Sequence, residues 1–216
     1  MNWLLITAQI YIGTAVAAYL LGCFNGAVIV SKYILRNDVR NHGSGNAGLT
    51  NFHRVFGGGL TAVVILCDVL KAVLAVLLGA WLFSGGGEAL ALFGKYWAAV
   101  FCILGHMYPC MFGFRGGKGV LSGGTVVIMM DWRIALVAIG LFLVCVVATR
   151  YVSLGSCCAA ASFPVTTWLV FGQPVIFLLA AFVGGLVIWK HRANIQRLIA
   201  GNESKFSLHK KKEDSK

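Results

Sequence analysis

Residues 59–83 read GLTAVVILCDVLKAVLAVLLGAWLF, an apolar run whose only charges are Asp68 and Lys71. At 1.5 Å per residue, a helix of this length outspans the roughly 30 Å of hydrocarbon in a bilayer. An unpaired charge at that depth is costly, and the i, i+3 spacing puts both side chains on one turn. Asp68 and Lys71 are therefore expected to face the bundle interior as a structural ion pair, bracing the loop that precedes the span. The stretch reads as a transmembrane helix, and the rest of the chain is measured by the same ruler.

That ruler gives further spans near 4–30 and 89–112, and shorter candidates at 119–130, 134–149, 154–171 and 175–189. The composition agrees: 216 residues, 59% hydrophobic and 12% charged, exclude a soluble domain. The first span lacks a basic leading region and is too long for a removable signal peptide, so it is expected to stay as a helix. The fold class is all-α, a polytopic membrane protein of seven transmembrane helices. Residues 1–202 form one domain, and 203–216, ESKFSLHKKKEDSK, read as a polar, disordered cytoplasmic tail whose Lys210–Lys212 run meets anionic lipid or solvent.

Charge sets the orientation. Of 18 Lys and Arg, fifteen fall in the connections near 31–58, 113–118, 150–153 and 190–216, whereas Arg133 and Lys95 sit on the other side and Lys71 lies within a span. By the positive-inside rule, the N-terminus is outside and the C-terminus cytoplasmic. A six-span alternative would scatter the cations over both faces. The seven Cys form no CxxC pair, and the His and carboxylates do not group with ligand spacing, so no metal site is expected.

Residues 119–130 extend only about 18 Å if helical, too short to cross the hydrocarbon. Broken or short helices at membrane depth line cavities or are buried in protein. The Gly-Lys loop before this segment is accordingly expected below the cytoplasmic surface, where a lipid-borne substrate meets a water-soluble one.

Four polar clusters interrupt the apolar chain. RNDVRNHGSGNAGLTNFHRVFGGG (36–59) carries Gly43, Gly45 and Gly48, which let backbone N–H groups converge. It also carries the polar side chains of Ser44, Asn46, Thr50 and Asn51 and the forked cation of Arg54. GHMYPCMFGFRGGKGV (105–120) frames Lys118 with Gly116, Gly117 and Gly119 at the start of the short helix, an anion-binding arrangement. It fails a Walker A match at Phe112 and Gly119. TRYVSLGS (149–156) brings Arg150, Ser153 and Ser156 to the same membrane face. KHRANIQRLIAGNE (190–203) sets His191 and Asn194 on one helical face, with Arg192 and Arg197 expected to point toward headgroups.

Two phosphate cradles on one face suggest two phosphorylated substrates, and short outer connections favour an enzyme working from the cytoplasm. The rival is a transporter of a phosphorylated solute that uses Asp68 and Lys71 as a coupling pair.

The segments HGSGNAGLTNFHR, DVLK, GHMYPCMFGFRGGKG, RYVSLGS and HRANIQRL together resemble the bacterial acyl-phosphate:glycerol-3-phosphate acyltransferase family. The chain departs modestly from the family, with Leu49 where Ala is common and Arg115 where Lys is frequent. The resemblance implies seven helices in the bacterial cytoplasmic (inner) membrane, with the active site facing the cytoplasm. It implies acyl phosphate as donor and glycerol 3-phosphate as acceptor. The products are lysophosphatidic acid and phosphate, in the first step of phospholipid synthesis.

No cofactor or nucleic acid is implied. Membrane lipids are partners, and there is room for contact with the enzyme that makes the acyl phosphate. The HxxxxD spacing of thioester-dependent glycerolipid acyltransferases does not follow His42, His53, His106 or His191; it occurs at His209 and Asp214, in the tail.

The family's polar residues carry over to Ser44, Arg54, Lys118, Ser153, Ser156, His191 and Asn194. Lys118, with the Gly116 and Gly117 amides, is expected to neutralise the donor phosphate, while Arg54, Ser44, His191 and Asn194 hold the two substrates in line. A substrate phosphate oxygen takes the hydroxyl proton, with His191 as the competing base. No covalent nucleophile is expected.

Overall fold

The computed structural model describes residues 3–206. The expectation for the Lys210–Lys212 run lies outside them. The described chain is helical: α1 Trp3–Cys23, α2 Gly26–Ile29, α3 Leu49–Val55, α4 Leu60–Phe83 and α5 Glu88–Met107. Then come α6 Val120–Met130, α7 Trp132–Thr149, α8 Val152–Phe171, α9 Pro174–Lys190 and α10 Arg192–Ile199. Among these, five are long and apolar enough to cross a membrane, or six when α9 and α10, bent by 57°, count as one span.

Two expected spans end early, each for a local reason. The first breaks at Phe24–Asn25, where the Asn25 side chain accepts the Val28 N–H at 3.0 Å and caps α2. Its amide also donates to the Ala47 carbonyl at 3.1 Å, so one polar residue in an apolar run ties the helix break to the first loop. The span expected to reach 112 stops at Met107, because Pro109 disfavours the helical conformation at Tyr108, which takes φ −134° and ψ 62°. The short helix is as expected: α6 has eleven residues.

Helix α5 is the axis of the bundle, packed against α1, α4, α6 and α9, while α7 and α8 pair and α8 continues onto α9. Small residues let the backbones touch. A Cβ on Gly79 would lie 2.1 Å from the Gly94 carbonyl oxygen, and one on Gly105 would lie 2.1 Å from that of Tyr19. Such contacts drive helix association where lipid is as apolar as the side chains. On the outside, Leu66, Leu70, Leu74 and Leu77 of α4 and Leu136, Val144 and Val147 of α7 are exposed, the surface a bilayer would cover.

Candidate functional site

A cavity of about 760 Å³ opens where the first loop, the α5–α6 loop, α8 and the α9–α10 bend converge. Its polar end gathers Ser44, Asn46, Thr50, Asn51, Arg54, Lys118, Gly119, Ser153, Ser156, His191 and Asn194 from four separate stretches of sequence. Its other end is apolar and reaches Ile128 and Leu143, whose side chains are more than half exposed on the outer face of α6 and α7. A shallower groove along Trp132, Leu136 and Ile139 shares those residues.

Lys118 anchors the polar end. Its ammonium donates to Asn194 Oδ1. Asn194 Nδ2 in turn donates to Glu203 Oε1 at 2.6 Å, which also accepts from Ser153 Oγ at 2.8 Å. Glu203 Oε2 pairs with Arg197 Nε at 2.7 Å. Burial lowers the Lys118 pKa to about 8, with Arg197 and Arg54 adding to the shift and Glu203 opposing it. Burial raises the Glu203 carboxyl, but hydrogen bonds from Asn194, Ser153 and Arg197 outweigh it, so the group stays below the usual range.

Glu203 therefore belongs to the site and not to a disordered tail. The neighbouring residues are tied in as well: Arg54 Nη2 donates to Ser204 Oγ at 3.3 Å, and the Phe206 N–H donates to the Arg150 carbonyl at 2.8 Å. Arg197 turns inward because a carboxylate waits there, whereas Arg192 lies over Trp189.

His191 caps the bend between α9 and α10. Its Nδ1 lies 2.7 Å from the Val187 carbonyl, which can only accept, so Nδ1 carries the proton. The lone pair of Nε2 is left with no partner among the described residues.

Several expected phosphate ligands have other duties. The Gly116 N–H donates to the Met107 carbonyl at 3.2 Å and the Gly117 N–H to that of His106 at 3.1 Å, so neither amide is free for an anion. Glycine is required at both positions because a Cβ would strike the His106 carbonyl oxygen at 2.0 Å from Gly116 and His106 Nε2 at 2.3 Å from Gly117. Asn51 spends its side chain on the loop itself, accepting from the Ser44 N–H and donating to the carbonyls of Val39, His42 and Asn46. Gly43 and Gly45 shape that loop with positive φ, and like Arg150 they stand outside the cavity lining. Ser156 donates to the Val152 carbonyl of its own helix at 2.7 Å.

Asp68 and Lys71 pair at 2.6 Å, but they brace α1 and α5 and not the first loop: the ammonium also reaches the Phe24 carbonyl and His106. Glu203 and His106 went unrecognised in the sequence, and Arg197, expected to point toward headgroups, lines the cavity instead.

These features define a helical integral membrane protein with a cation-lined cleft that reaches its apolar exterior. A profile described as glycerol-3-phosphate acyltransferase matches residues 12–201. The chain is 42% identical to the glycerol-3-phosphate acyltransferase of Thermoanaerobacter pseudethanolicus, over 89% of this chain and 94% of that one. It is 40% identical to that of Clostridioides difficile, over 93% and 97%. Crystal structures of PlsY (YgiH), an integral membrane glycerol 3-phosphate acyltransferase, superpose in two forms. The glycerol 3-phosphate form gives a TM-score of 0.80 at 34% identity, over 91% of this chain and 96% of that one. The lysophosphatidic acid form gives 0.77 at 33%, over 91% and 95%. The chain belongs to the glycerol-3-phosphate acyltransferase family.

Proposed function

We infer that the cleft transfers a fatty acyl group from acyl phosphate to the sn-1 hydroxyl of glycerol 3-phosphate, giving lysophosphatidic acid and inorganic phosphate. The observation that carries this is one cavity with Lys118 and Arg54 at its polar end and an apolar arm reaching the outer face of α6 and α7. Two anionic groups need the cations, and one long chain needs the arm. The relatives' shared name and the two PlsY forms support the acceptor and the product.

The primary hydroxyl oxygen bonds to the acyl carbon, the bond from that carbon to the phosphate oxygen breaks, and phosphate leaves with the electron pair. Because phosphate is a good leaving group, the protein's task is chiefly to align the reactants and neutralise charge. Lys118 faces the donor phosphate, and Arg54, Ser44, His191 and Asn194 hold the reactants in line. The hydroxyl proton passes to a substrate phosphate oxygen. His191 is the other recipient to test, since its Nε2 presents a lone pair. In His191→Gln, the side chain can accept a hydrogen bond but not a proton. Its kcat is expected to stay within about tenfold of wild type, whereas a loss beyond a thousandfold makes His191 the base.

Seven membrane segments, an outside N-terminus and a cleft facing the cytoplasm of a bacterial inner membrane complete the reading, supported by the bias of Lys and Arg to alternate connections. Contact with the enzyme supplying acyl phosphate would shorten the donor's path. The decisive experiment offers purified protein labelled glycerol 3-phosphate with acyl phosphate, acyl-CoA and acyl carrier protein thioester in separate reactions. Labelled lysophosphatidic acid is expected with acyl phosphate alone; product from a thioester instead would overturn the donor assignment.

A further inference from the structure

The buried group formed by Asp68, Lys71 and His106 has no part in the chemistry above, yet Asp68 and His106 both line the cavity. The Lys71 ammonium has three N–H bonds and three acceptors: Phe24 O at 3.0 Å, Asp68 Oδ1 at 2.6 Å and His106 Nδ1 at 2.7 Å. Asp68 Oδ1 stands 3.7 Å from Nδ1, too far to be its partner. Nδ1 is thus an acceptor, the ring is neutral, and its proton sits on Nε2. One carboxylate, one ammonium and a neutral imidazole leave the group without net charge, the arrangement that membrane depth favours.

His106 is only 2% exposed. Among the described residues its Nε2 has no partner, and the single fully buried side-chain nitrogen or oxygen left without one there is Asn46 Oδ1. His106 lines the cavity, and Nε2, partnerless among the described residues yet not among the fully buried atoms left so, keeps some exposure there; a side chain at Gly117 would press on it, since a Cβ there would lie 2.3 Å away.

We propose that His106 is a catalytic donor whose Nε2–H bonds the carbonyl oxygen of the acyl phosphate and stabilises the charge that builds there during transfer. This rests on the acyl-transfer reading. As the hydroxyl oxygen adds, the carbonyl electron pair moves onto oxygen and is held by the Nε2–H. As the carbonyl re-forms, phosphate departs, and His106 keeps its proton throughout. A phosphate is the poorer match, because the group has no net charge to offer a full anion and the Asp68 carboxylate faces the same space. A fixed dipole suits an oxygen whose charge appears only in the transition state.

The test compares His106→Phe, which keeps ring volume, with His106→Gln, which keeps an N–H donor. In His106→Phe, kcat is expected to fall about a hundredfold to a thousandfold, with KM for both substrates held within about threefold. His106→Gln should recover at least tenfold of the loss. A raised KM with unchanged kcat, or no change in either, overturns the proposal.

Should His106→Phe fail to fold, 15N NMR of wild-type protein carrying labelled His decides the matter. A protonated Nε2 that shifts on binding a non-transferable acyl phosphonate supports it; a protonated Nδ1, or an unmoved Nε2, overturns it. Wild-type protein that leaves acyl phosphate unconverted sinks the acyl-transfer reading and this proposal together. That result is distinct from a His106 variant failing beside an active wild type.

Discussion

Lys118→Met is expected to lower kcat/KM for acyl transfer by about a thousandfold, measured as lysophosphatidic acid formed from acyl phosphate. Loss of one preorganised charged donor at a developing anion costs about two to three powers of ten, and among the described residues no other cation lining the cleft is held as deeply. Arg54 is exposed and Arg197 is committed to Glu203. The same residue predicts the alkaline limb of the pH profile. With its pKa lowered to about 8, free Lys118 loses its proton as pH rises through that value, and kcat/KM declines above it. A bound phosphate favours the ammonium, so the limb in kcat lies at higher pH than the limb in kcat/KM. Lys118→Arg, which stays charged, should abolish the limb even if its geometry reduces the rate. A Lys118→Met enzyme with wild-type turnover would remove Lys118 from the chemistry.

Glu203→Ala should cost activity about a hundredfold and lower the melting temperature of the detergent-solubilised protein. The carboxylate accepts from Ser153, Asn194 and Arg197 at once. Its removal leaves two nearly buried donors unsatisfied, at about 1–3 kcal/mol each. The Arg197 pair adds little to this, because that side chain is 43% exposed and solvent screens it. Freed from Glu203, Asn194 no longer fixes the Lys118 ammonium. Glu203→Gln keeps an oxygen for Ser153 and Asn194 but sets an amide against Arg197, so an intermediate loss is expected. Unchanged melting and turnover in Glu203→Ala would detach this network from the site.

Helix positions were readable because apolar run length is a direct physical measure of the bilayer, and α4 and α6 lie close to their expected bounds. The ends that moved did so at residues whose effect is local: Asn25 captures a backbone N–H, and Pro109 stops α5. The convergence of Ser44, Arg54, Lys118, His191 and Asn194 was foreshadowed by dense polar clusters in an apolar chain.

The duties of the glycines were less legible, because a gap left for an anion and a gap left for a neighbouring carbonyl look alike in sequence. Gly116 and Gly117 proved to be the second kind. Glu203 was hidden by its polar surroundings, although the basic pair Arg192 and Arg197 just before it was a cue that a carboxylate had somewhere to dock. His106 stood at the apolar edge of the 105–120 cluster with no charge near it in sequence, and only the fold set it beside the two charges of α4.

In the acyl transfer proposed above, the apolar arm that surfaces between α6 and α7 brings the two reactants together from spaces of different dimension. Glycerol 3-phosphate comes from solution and is governed by its molarity. The long-chain donor comes from within the plane of the sheet, where what counts is its mole fraction among the surrounding amphiphiles. Adding inert lipid at constant donor would slow the catalyst by dilution in two dimensions, while the soluble reactant's concentration stayed the same.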